Sequence, residues 1–292
     1  MNNYLVVTGG AGFIGSNLIE LLLKKTNYRI ISLDNYSTGL KSNHIFSKRV
    51  KYIKGSTLNF SKILSKYRKK IKAVFHFAEF SRIYQSFKKT SECFDANIKG
   101  THEVVNFCLI NKIKIIYSAT SASLGKKGED QNLSPYAFTK STNMNLIMNL
   151  NEWFGLSYEI IYFYNVYGPK QIMSSNMVAV IGIFEDCYKK NLPLPIVLPG
   201  TQTRKFTHVK DTVNVCYIAW KNDKNAHYSI ASKNSYSINK VASLFSDKKI
   251  FIPERIGERF KSVIVKKIRN KKIYNYVGKI ELKTYIASIK NK

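Results

Sequence analysis

Cysteine is scarce in this sequence, and the few cysteines present follow no pattern. The 292 residues contain four, Cys93, Cys108, Cys187 and Cys216, and none forms a Cys-x-x-Cys pair. Their spacing excludes a disulfide-rich secreted scaffold and predicts free thiols in a reducing cytoplasm. The five histidines also lack the spacing of metal ligands, so we expect no metal centre.

Acidic residues are also scarce. Only 18 Asp and Glu stand against 47 Lys and Arg, which leaves a formal net charge of +29 at pH 7. A basic face can collect phosphate, yet no nucleic-acid-binding motif is present and the lysines are spread through every segment. We interpret the charge as a generally basic surface, with an anionic small-molecule substrate as the alternative, and expect no nucleic-acid partner.

Long hydrophobic runs are missing as well. No apolar stretch approaches the roughly 20 residues of a membrane span. The N-terminal apolar segment runs directly into a glycine-rich turn and lacks the features of a signal peptide. These features predict a protein without a membrane span, located in the cytoplasm, and the hydrophobic share of 45% suits a sizeable core.

The first 35 residues carry a nucleotide-binding pattern. An apolar run at 4–7 predicts a buried strand, and Gly9, Gly12 and Gly15 lead from it into a helical periodicity. Glycines allow a tight turn and let a pyrophosphate approach the backbone, where the first helical N–H groups favour its charge. A second predicted strand ends at Asp34, where a carboxylate accepts hydrogen bonds from an adenosine ribose and repels a 2′-phosphate. The pattern therefore predicts NAD rather than NADP.

Strand-like and helix-like segments continue to alternate. Further strands are predicted at 50–53, 72–78, 114–120 and 158–165, and helices near 61–69, 91–111 and 135–152. The alternation predicts an α/β fold with a Rossmann-type doubly wound parallel sheet, whose ligands lie at the carboxyl ends of the strands. We predict an NAD-binding domain at 1–166 with a returning segment near 205–230. A smaller, mainly substrate-binding lobe is predicted at 167–292, where prolines and glycines loosen the pattern.

The segment SPYAFTK places Tyr136 four positions before Lys140. On a helix these two positions share one face, so a phenol and an ammonium can reach the same bound molecule. Taken alone, the pair is common and fits a half-buried tyrosine beside a solvated lysine better than a catalytic site. Further motifs elsewhere in the chain are needed to distinguish the two interpretations.

Nine motifs, in order along the chain, resemble the extended short-chain dehydrogenase/reductase family, specifically its NAD-dependent nucleotide-sugar epimerases and dehydratases. The resemblance runs from residue 5 to about residue 262. The motifs are VTGGAGFIGSN, LDNYSTG, VFHFAEFSRI, NIKGT, YSATSASLG, SPYAFTK, YFYNVYGP, GTQTRKFTHVKD and PERIGERF. Nine ordered matches are far more specific than any single motif, and they favour a functional tyrosine–lysine pair.

The resemblance implies the catalytic residues Thr120, Tyr136 and Lys140. In this family the tyrosine is the acid/base, and the lysine lowers the tyrosine pKa and bonds the nicotinamide ribose. A free tyrosine is almost wholly protonated at neutral pH, so nearby positive charge must favour its phenolate by ~3 pH units before it accepts a sugar proton. The hydroxyl of Thr120 is expected to bond the substrate oxygen.

The resemblance also implies a cofactor site and a substrate site. The cofactor residues are expected to be Gly9, Gly12, Phe13, Ile14, Gly15, Asp34, Asn35, Ser56, Thr57, Phe77, Ala78, Asn97, Tyr136 and Lys140. The substrate residues are expected to be Ser81, Arg82, Thr120, Ser121, Tyr136, Asn165, Arg204, Arg255 and Glu258. Arg204 and Arg255 resemble the pair that grips the nucleotide diphosphate, a task that suits the planar guanidinium, and Glu258 resembles the acid near the nucleotide ribose.

Several positions depart from the family pattern. Ser56 stands where an aspartate usually bonds the adenine, and Glu79 replaces a small residue beside the cofactor. Leu124 replaces a tyrosine, and Lys205 replaces an aspartate. These departures leave the identity of the sugar open, whereas the threonine–tyrosine–lysine set is intact.

The segment after the fifth predicted strand separates the reactions that share this scaffold. In the 4,6-dehydratases it resembles Thr-Asp-Glu, and decarboxylating relatives keep a glutamate at its third position, whereas here it reads Thr120-Ser121-Ala122. We therefore predict a UDP-glucose 4-epimerase-like enzyme that oxidises C4 of a nucleotide-diphosphate sugar, favouring a UDP-sugar, and returns the hydride. A 4-keto reductase, an epimerase of GDP- or ADP-sugars and a catalytically idle NAD-binding protein stay open as alternatives.

Family members commonly dimerise through a bundle of four helices, two from each subunit. Here these helices would be those near 91–111 and 135–152, and both carry apolar stripes. The resemblance therefore implies a homodimer. It is compatible with polysaccharide biosynthesis, but the sequence does not identify the pathway.

Overall fold

Strands and helices alternate along the chain. The structure, a computed structural model, describes residues 3–121, 133–173, 176–257, 261, 264, 268 and 271–291. The strands are β1 (Tyr4–Thr8), β2 (Arg29–Asp34), β3 (Val50–Lys54), β4 (Ile71–His76), β5 (Lys114–Thr120), β6 (Tyr158–Phe163), β7 (Val166–Tyr167), β8 (Leu194–Val197), β9 (Thr203–Arg204), β10 (Thr207–His208), β11 (His227–Ser232), β12 (Tyr236–Ser237), β13 (Lys249–Ile252) and β14 (Ile273–Gly278). The helices are α1 (Phe13–Lys25), α2 (Phe60–Leu64), α3 (Ile83–Lys88), α4 (Thr90–Phe94), α5 (Gly100–Ile110), α6 (Pro135–Phe154), α7 (Val180–Lys189), α8 (Val209–Asn222), α9 (Ile238–Phe245) and α10 (Leu282–Lys290).

The centre of the fold is an eight-stranded sheet in the order β14-β11-β6-β5-β4-β1-β2-β3. Every pair of neighbours in it is parallel. The chain winds outward from β1 in one direction through β2 and β3, then returns to the other side of β1 with β4. This reversal is the topological switch point at which doubly wound sheets bind their ligands. The predicted Rossmann-type α/β fold is confirmed.

The six predicted strands are all present as β1 to β6, with ends shifted by up to two residues. Two further strands of the sheet, β11 and β14, were not predicted as strands. Buried β11 mixes histidine, tyrosine and serine with apolar residues, and β14 is an edge strand that is half exposed. Neither therefore shows a continuous apolar run or a clean alternation.

Helices cover both faces of the sheet. On one face, α2, α5 and α6 bury side chains such as Phe60, Val104 and Met144 in a common core. On the other face, α1 and α8 contribute Leu18 and Val213. A third core joins α7, α9, α10 and β8 and contains only residues after position 166. The division into two domains at residues 166 and 167 stays a prediction.

Helix α6 begins at a strong start signal. The Ser134 hydroxyl accepts a hydrogen bond from the Ala137 N–H at 3.0 Å, and Pro135 occupies the first helical turn. Both features are typical of helix N-termini, because the hydroxyl satisfies a backbone donor that has no partner in the helix and proline has no N–H to satisfy. Gly155, with φ +72°, ends the helix. This start places Tyr136 in the first turn.

None of the four cysteines, all of which are described, is in a disulfide, and three of them are buried. Within the described ranges, no group of three or more His, Cys, Asp or Glu side chains could hold a metal ion. Among the same residues, no helix is both long enough and apolar enough to cross a membrane.

Candidate active site

A cavity of about 780 Å³ opens at the carboxyl ends of the central strands. It is lined by Gly9 after β1, Asp34 at the end of β2, Ala78 after β4, Thr120 at the end of β5 and Asn165 after β6. These positions flank the switch point of the sheet. The cavity therefore lies where the sequence predicts the ligands to bind.

The glycine loop forms one wall of this cavity and leaves no room for side chains. Gly9 has φ +70°, a conformation that glycine adopts without strain. A Cβ on Gly15 would collide with the Gly9 carbonyl oxygen, and one on Gly10 would collide with the Ser32 side chain. Because the loop is this close to the start of α1, a diphosphate can reach backbone N–H groups there.

Asp34 lies on the same wall and is only 6% exposed. Its carboxylate accepts hydrogen bonds from the N–H of Ala11 at 2.9 Å and of Tyr36 at 2.8 Å. Burial raises the pKa of Asp34, and the bonds from Tyr36, Ala11 and Gly12 oppose that rise. The two bonds orient the carboxylate, and the remaining lone pairs can accept hydrogen bonds from ribose hydroxyls. Loop and carboxylate together fit an NAD molecule.

Nearly all predicted cofactor residues line the cavity, and their roles stay predictions. Those that do are Gly9, Gly12, Phe13, Ile14, Gly15, Asp34, Asn35, Ser56, Thr57, Phe77, Ala78, Tyr136 and Lys140. Asn97 is not among the lining residues and is fully buried. Its side chain accepts a hydrogen bond from Phe80 N–H at 2.6 Å and donates one to the Thr139 hydroxyl at 2.9 Å. In this structure Asn97 links the loop after β4 to α6 by hydrogen bonds.

The three predicted catalytic residues all line the cavity. Thr120 reaches it from the end of β5, and Tyr136 and Lys140 reach it from the first two turns of α6. Tyr136 is only 9% exposed and packs against Phe80 and Cys93. This burial and the shared cavity oppose the interpretation of the pair as a half-buried tyrosine beside a solvated lysine.

The ammonium of Lys140 is bound by protein groups on several sides. Its Nζ pairs with a carboxylate oxygen of Glu79 and donates to the Ser118 carbonyl oxygen. It also lies 3.4 Å from the Ser118 hydroxyl and 4.7 Å from the centroid of the Tyr117 ring. The Glu79 substitution noted in the sequence is therefore a direct partner of the predicted catalytic lysine, 61 residues away.

Glu79 is itself held by a buried hydrogen-bond network. Its other carboxylate oxygen accepts from the Tyr117 hydroxyl at 2.9 Å, the Asn143 amide at 3.1 Å and the Thr101 hydroxyl at 3.2 Å. The Thr101 oxygen contacts His76 Nε2 at 2.9 Å. Burial lowers the pKa of His76 to about 4, so its imidazole is neutral near pH 7 and adds no charge to the Glu79–Lys140 pair.

The described substrate residues also line the cavity: Ser81, Arg82, Thr120, Ser121, Tyr136, Asn165, Arg204 and Arg255. The Arg82 Nε donates to the Met177 carbonyl at 2.7 Å, and the Arg255 guanidinium lies 5.3 Å from the centroid of the Tyr84 ring. Glu258, like Ala122 and Leu124, lies outside the described residues. The structure thus places two predicted phosphate-binding arginines and Arg82 around one space.

Lys205 does not line the cavity with them. Its Nζ donates to the carbonyl oxygens of Ser232 at 2.9 Å and Lys233 at 2.8 Å, just after β11. Burial lowers the pKa of Lys205. The lysine that replaces the family's aspartate therefore secures the end of a strand in this structure.

The sequence did not single out several residues that line the opposite wall. They come from the segment before α7, from β8 and from the segments next to β9, and they include Gln171, Met177, Val178, Pro195, Gln202 and Phe206. Gln202 and Phe206 lie within the motif GTQTRKFTHVKD, but no role was predicted for any of the six, and the tertiary structure brings them to the cavity. No pattern in the sequence alone assigns these residues to the cavity.

Comparison with known proteins identifies the family of this chain. A family model described as the NAD dependent epimerase/dehydratase family matches residues 5–231. A putative UDP-glucose 4-epimerase of Methanocaldococcus jannaschii is 28% identical over 305 residues, covering 98% of this chain and 97% of the relative. The human dTDP-D-glucose 4,6-dehydratase is 31% identical over 255 residues, covering 82% of this chain and 71% of the relative.

A solved structure shares the whole fold. The UDP-glucose 4-epimerase of Thermotoga maritima, crystallised with UDP-glucose, superposes with a TM-score of 0.87. The superposition covers 97% of this chain and 96% of the other, at 22% sequence identity. At that identity the likeness shows the fold alone.

Proposed function

The chain belongs to the NAD dependent epimerase/dehydratase family, and on this premise we propose that it interconverts the C4 epimers of a nucleotide-diphosphate sugar, with UDP-sugars as the substrate class. The observation that carries the proposal is that Thr120, Tyr136 and Lys140 all line the cavity beside the glycine loop. The M. jannaschii relative, which matches over nearly the full length of both chains, supports the same reaction class.

In the proposed reaction the protein moves one proton and orients two ligands. The Tyr136 oxygen takes the proton of the sugar C4 hydroxyl, and the Thr120 hydroxyl bonds the same sugar oxygen. Asp34 and the glycine loop would hold NAD, which when bound accepts a hydride from C4 and gives it back. The sugar turns over as its 4-keto form, and the proton returns from Tyr136. No water enters or leaves the sugar.

The loop after β5 favours epimerisation over dehydration. Ser121 lines the cavity where, by resemblance, a dehydratase has an aspartate, and Ala122 follows where it has a glutamate. Glu79 is a carboxylate on the cavity wall, but an ion pair and three hydrogen bonds already engage it. It is therefore poorly placed to act as the additional acid or base that removal of water requires.

The proposal is tested with the purified protein and UDP-glucose or UDP-galactose, followed by NMR. We expect each sugar to be converted to the same equilibrium mixture without added NAD and without net accumulation of NADH. Accumulation of a product lighter by one water would instead indicate a dehydratase. Turnover only with GDP- or ADP-sugars would show that the substrate carries a different nucleotide. Stoichiometric consumption of NADH with a 4-keto sugar would indicate a reductase.

The two predicted phosphate-binding arginines allow a second test. Arg204→Ala and Arg255→Ala are each expected to weaken binding of UDP-glucose by ~1.5–3 kcal/mol, because charged hydrogen bonds to the diphosphate are lost. Isothermal titration calorimetry measures the affinity, and the NAD content of each variant should equal that of the wild type.

Arg29→Ala is the matched control for the arginine variants. Arg29 also stacks on a tyrosine, with its guanidinium 5.7 Å from the centroid of the Tyr4 ring, but it does not line the cavity. Its removal should leave the affinity for UDP-glucose unchanged. Unaltered affinity in both Arg204→Ala and Arg255→Ala would contradict the predicted phosphate grip, and a parallel loss of NAD would point to a folding defect.

A further inference from the structure

The cavity wall contains a buried pair of opposite charges. The side chains of Glu79 and Lys140 are 2% and 5% exposed and are joined by an ion pair. Taking two charges out of water is costly, and a small apolar residue at position 79 would avoid burying the second one. Packing alone therefore does not account for a carboxylate at position 79.

The contacts of Lys140 show what the carboxylate does to it. An ammonium has three hydrogens, and three oxygens surround this one: the Glu79 carboxylate, the Ser118 carbonyl and the Ser118 hydroxyl. All belong to β5 and to the loop after β4. These contacts fix the position of the ammonium, and one of them is to a negative charge.

Among the described residues, several titratable or charged side chains belong to the surroundings of Tyr136. Cys93 packs in the same core cluster, and Arg82 and Tyr117 interact with Tyr136 electrostatically. Lys140 lies one turn further along α6, and Glu79 is paired with it. Burial raises the pKa of both Cys93 and Tyr117, so these two are neutral near pH 7. Burial lowers the pKa of Arg82, and the charge of ionised Tyr136 opposes that shift.

Of these described side chains, Arg82 and Lys140 are cations and Glu79 is an anion. Among the described residues no carboxylate pairs with Arg82, whereas Glu79 offsets the charge of Lys140. A cation near a phenol favours its ionised form, and a carboxylate next to that cation weakens the effect.

We propose that Glu79 is a positioning residue that fixes the ammonium of Lys140 and offsets its charge, so that the pair is neutral toward Tyr136 and the proton transfer is tuned to a higher pH than Lys140 alone would set. The inference rests on the proposed function in one respect, because it takes Tyr136 as the acceptor of the sugar proton. It assigns a role to a side chain that neither the glycine loop nor the tyrosine–lysine motif contains.

The test is a spectroscopic titration of Tyr136 that needs no sugar. Phenolate absorbance is recorded against pH for the protein as purified, and the signal of the matching Tyr136→Phe protein is subtracted to isolate one tyrosine. In Glu79→Gln the midpoint should move to lower pH by about one unit or more, the size of effect that a neighbouring charge produces. Glu79→Asp keeps the charge and should titrate within a few tenths of a unit of the wild type.

The double variant Glu79→Gln, Lys140→Met measures the effect of removing both charges together. It replaces one neutral pair by another, so its midpoint should return toward the wild-type value, whereas Lys140→Met alone should move it to higher pH. The pH profile of epimerisation by Glu79→Gln should shift in the same direction as its tyrosine titration. If Glu79→Gln does not fold, the comparison of Lys140→Met with the double variant still measures the effect of the carboxylate.

An unchanged or higher midpoint in Glu79→Gln, or equal midpoints in Lys140→Met and the double variant, would overturn the proposal and leave Glu79 a purely structural residue. These outcomes are independent of whether the protein epimerises sugars. If the titrations behave as expected but no sugar is converted, the charge compensation stands and the proposed reaction fails.

Discussion

Replacing Tyr136 by phenylalanine is expected to lower the rate of C4 epimerisation by ~10²–10⁴-fold, the usual contribution of a general base. The ring and its packing against Phe80 and Cys93 remain, so the fold and the affinity for UDP-glucose should change little. Only the oxygen that receives the sugar proton is removed. The rate is measured by NMR of the sugar, and the affinity by isothermal titration calorimetry.

The matched control is Tyr67→Phe. The Tyr67 hydroxyl accepts a hydrogen bond from Lys51 Nζ at 2.8 Å and does not line the cavity. Its loss should leave epimerisation at the wild-type rate. Near-normal turnover in the Tyr136→Phe enzyme would exclude the phenol as the proton acceptor. The Thr120 hydroxyl would then be the next candidate for that role.

Replacing Lys140 by methionine is expected to lower the free energy of unfolding by ~3–5 kcal/mol, because it leaves the Glu79 carboxylate buried without its cation. Methionine fills a similar volume, so the loss comes from charge rather than from a cavity. Urea denaturation followed by circular dichroism measures the change. Most of the stability should return in the double variant Glu79→Gln, Lys140→Met, in which no buried charge remains.

Lys99→Met is the control for this experiment. Lys99 forms an ion pair of 2.8 Å with Asp95, but both side chains are largely exposed, and exposed pairs contribute little to stability. The same substitution should therefore change the unfolding curve only slightly. Equal effects of Lys140→Met and Lys99→Met would mean that water reaches the Glu79–Lys140 pair and that it is not a buried one.

Much of the fold could be predicted because its signals are local. The loop from Gly9 to Gly15 joins a strand to a helix within one segment, and the alternation of strands and helices follows from short apolar runs. β14 escaped prediction because an edge strand shares its hydrogen bonds with only one neighbour and is half exposed, so its sequence keeps no regular hydrophobic pattern.

The site was predictable only where one motif contains its own partners. Tyr136 and Lys140 lie a helical turn apart, so their proximity follows from helix geometry. The contact of Glu79 with Lys140 joins β4's loop to α6, and that of Arg82 with Met177 spans 95 residues. Such pairs depend on how whole elements pack, and no spacing along the chain reveals them.

The winding of the sheet also has a consequence for synthesis on the ribosome. Strands β1 to β6 emerge before β11, which pairs with β6, and β11 emerges before its last neighbour β14. Once β6 has left the ribosome it therefore presents an open edge, and the chain must grow by more than 60 further residues before β11 can cover it. Open strand edges pair readily with other chains. Translation that pauses between α7 and β11 would prolong this aggregation-prone stage, whereas a pause after β11 would leave only the outer edge uncovered.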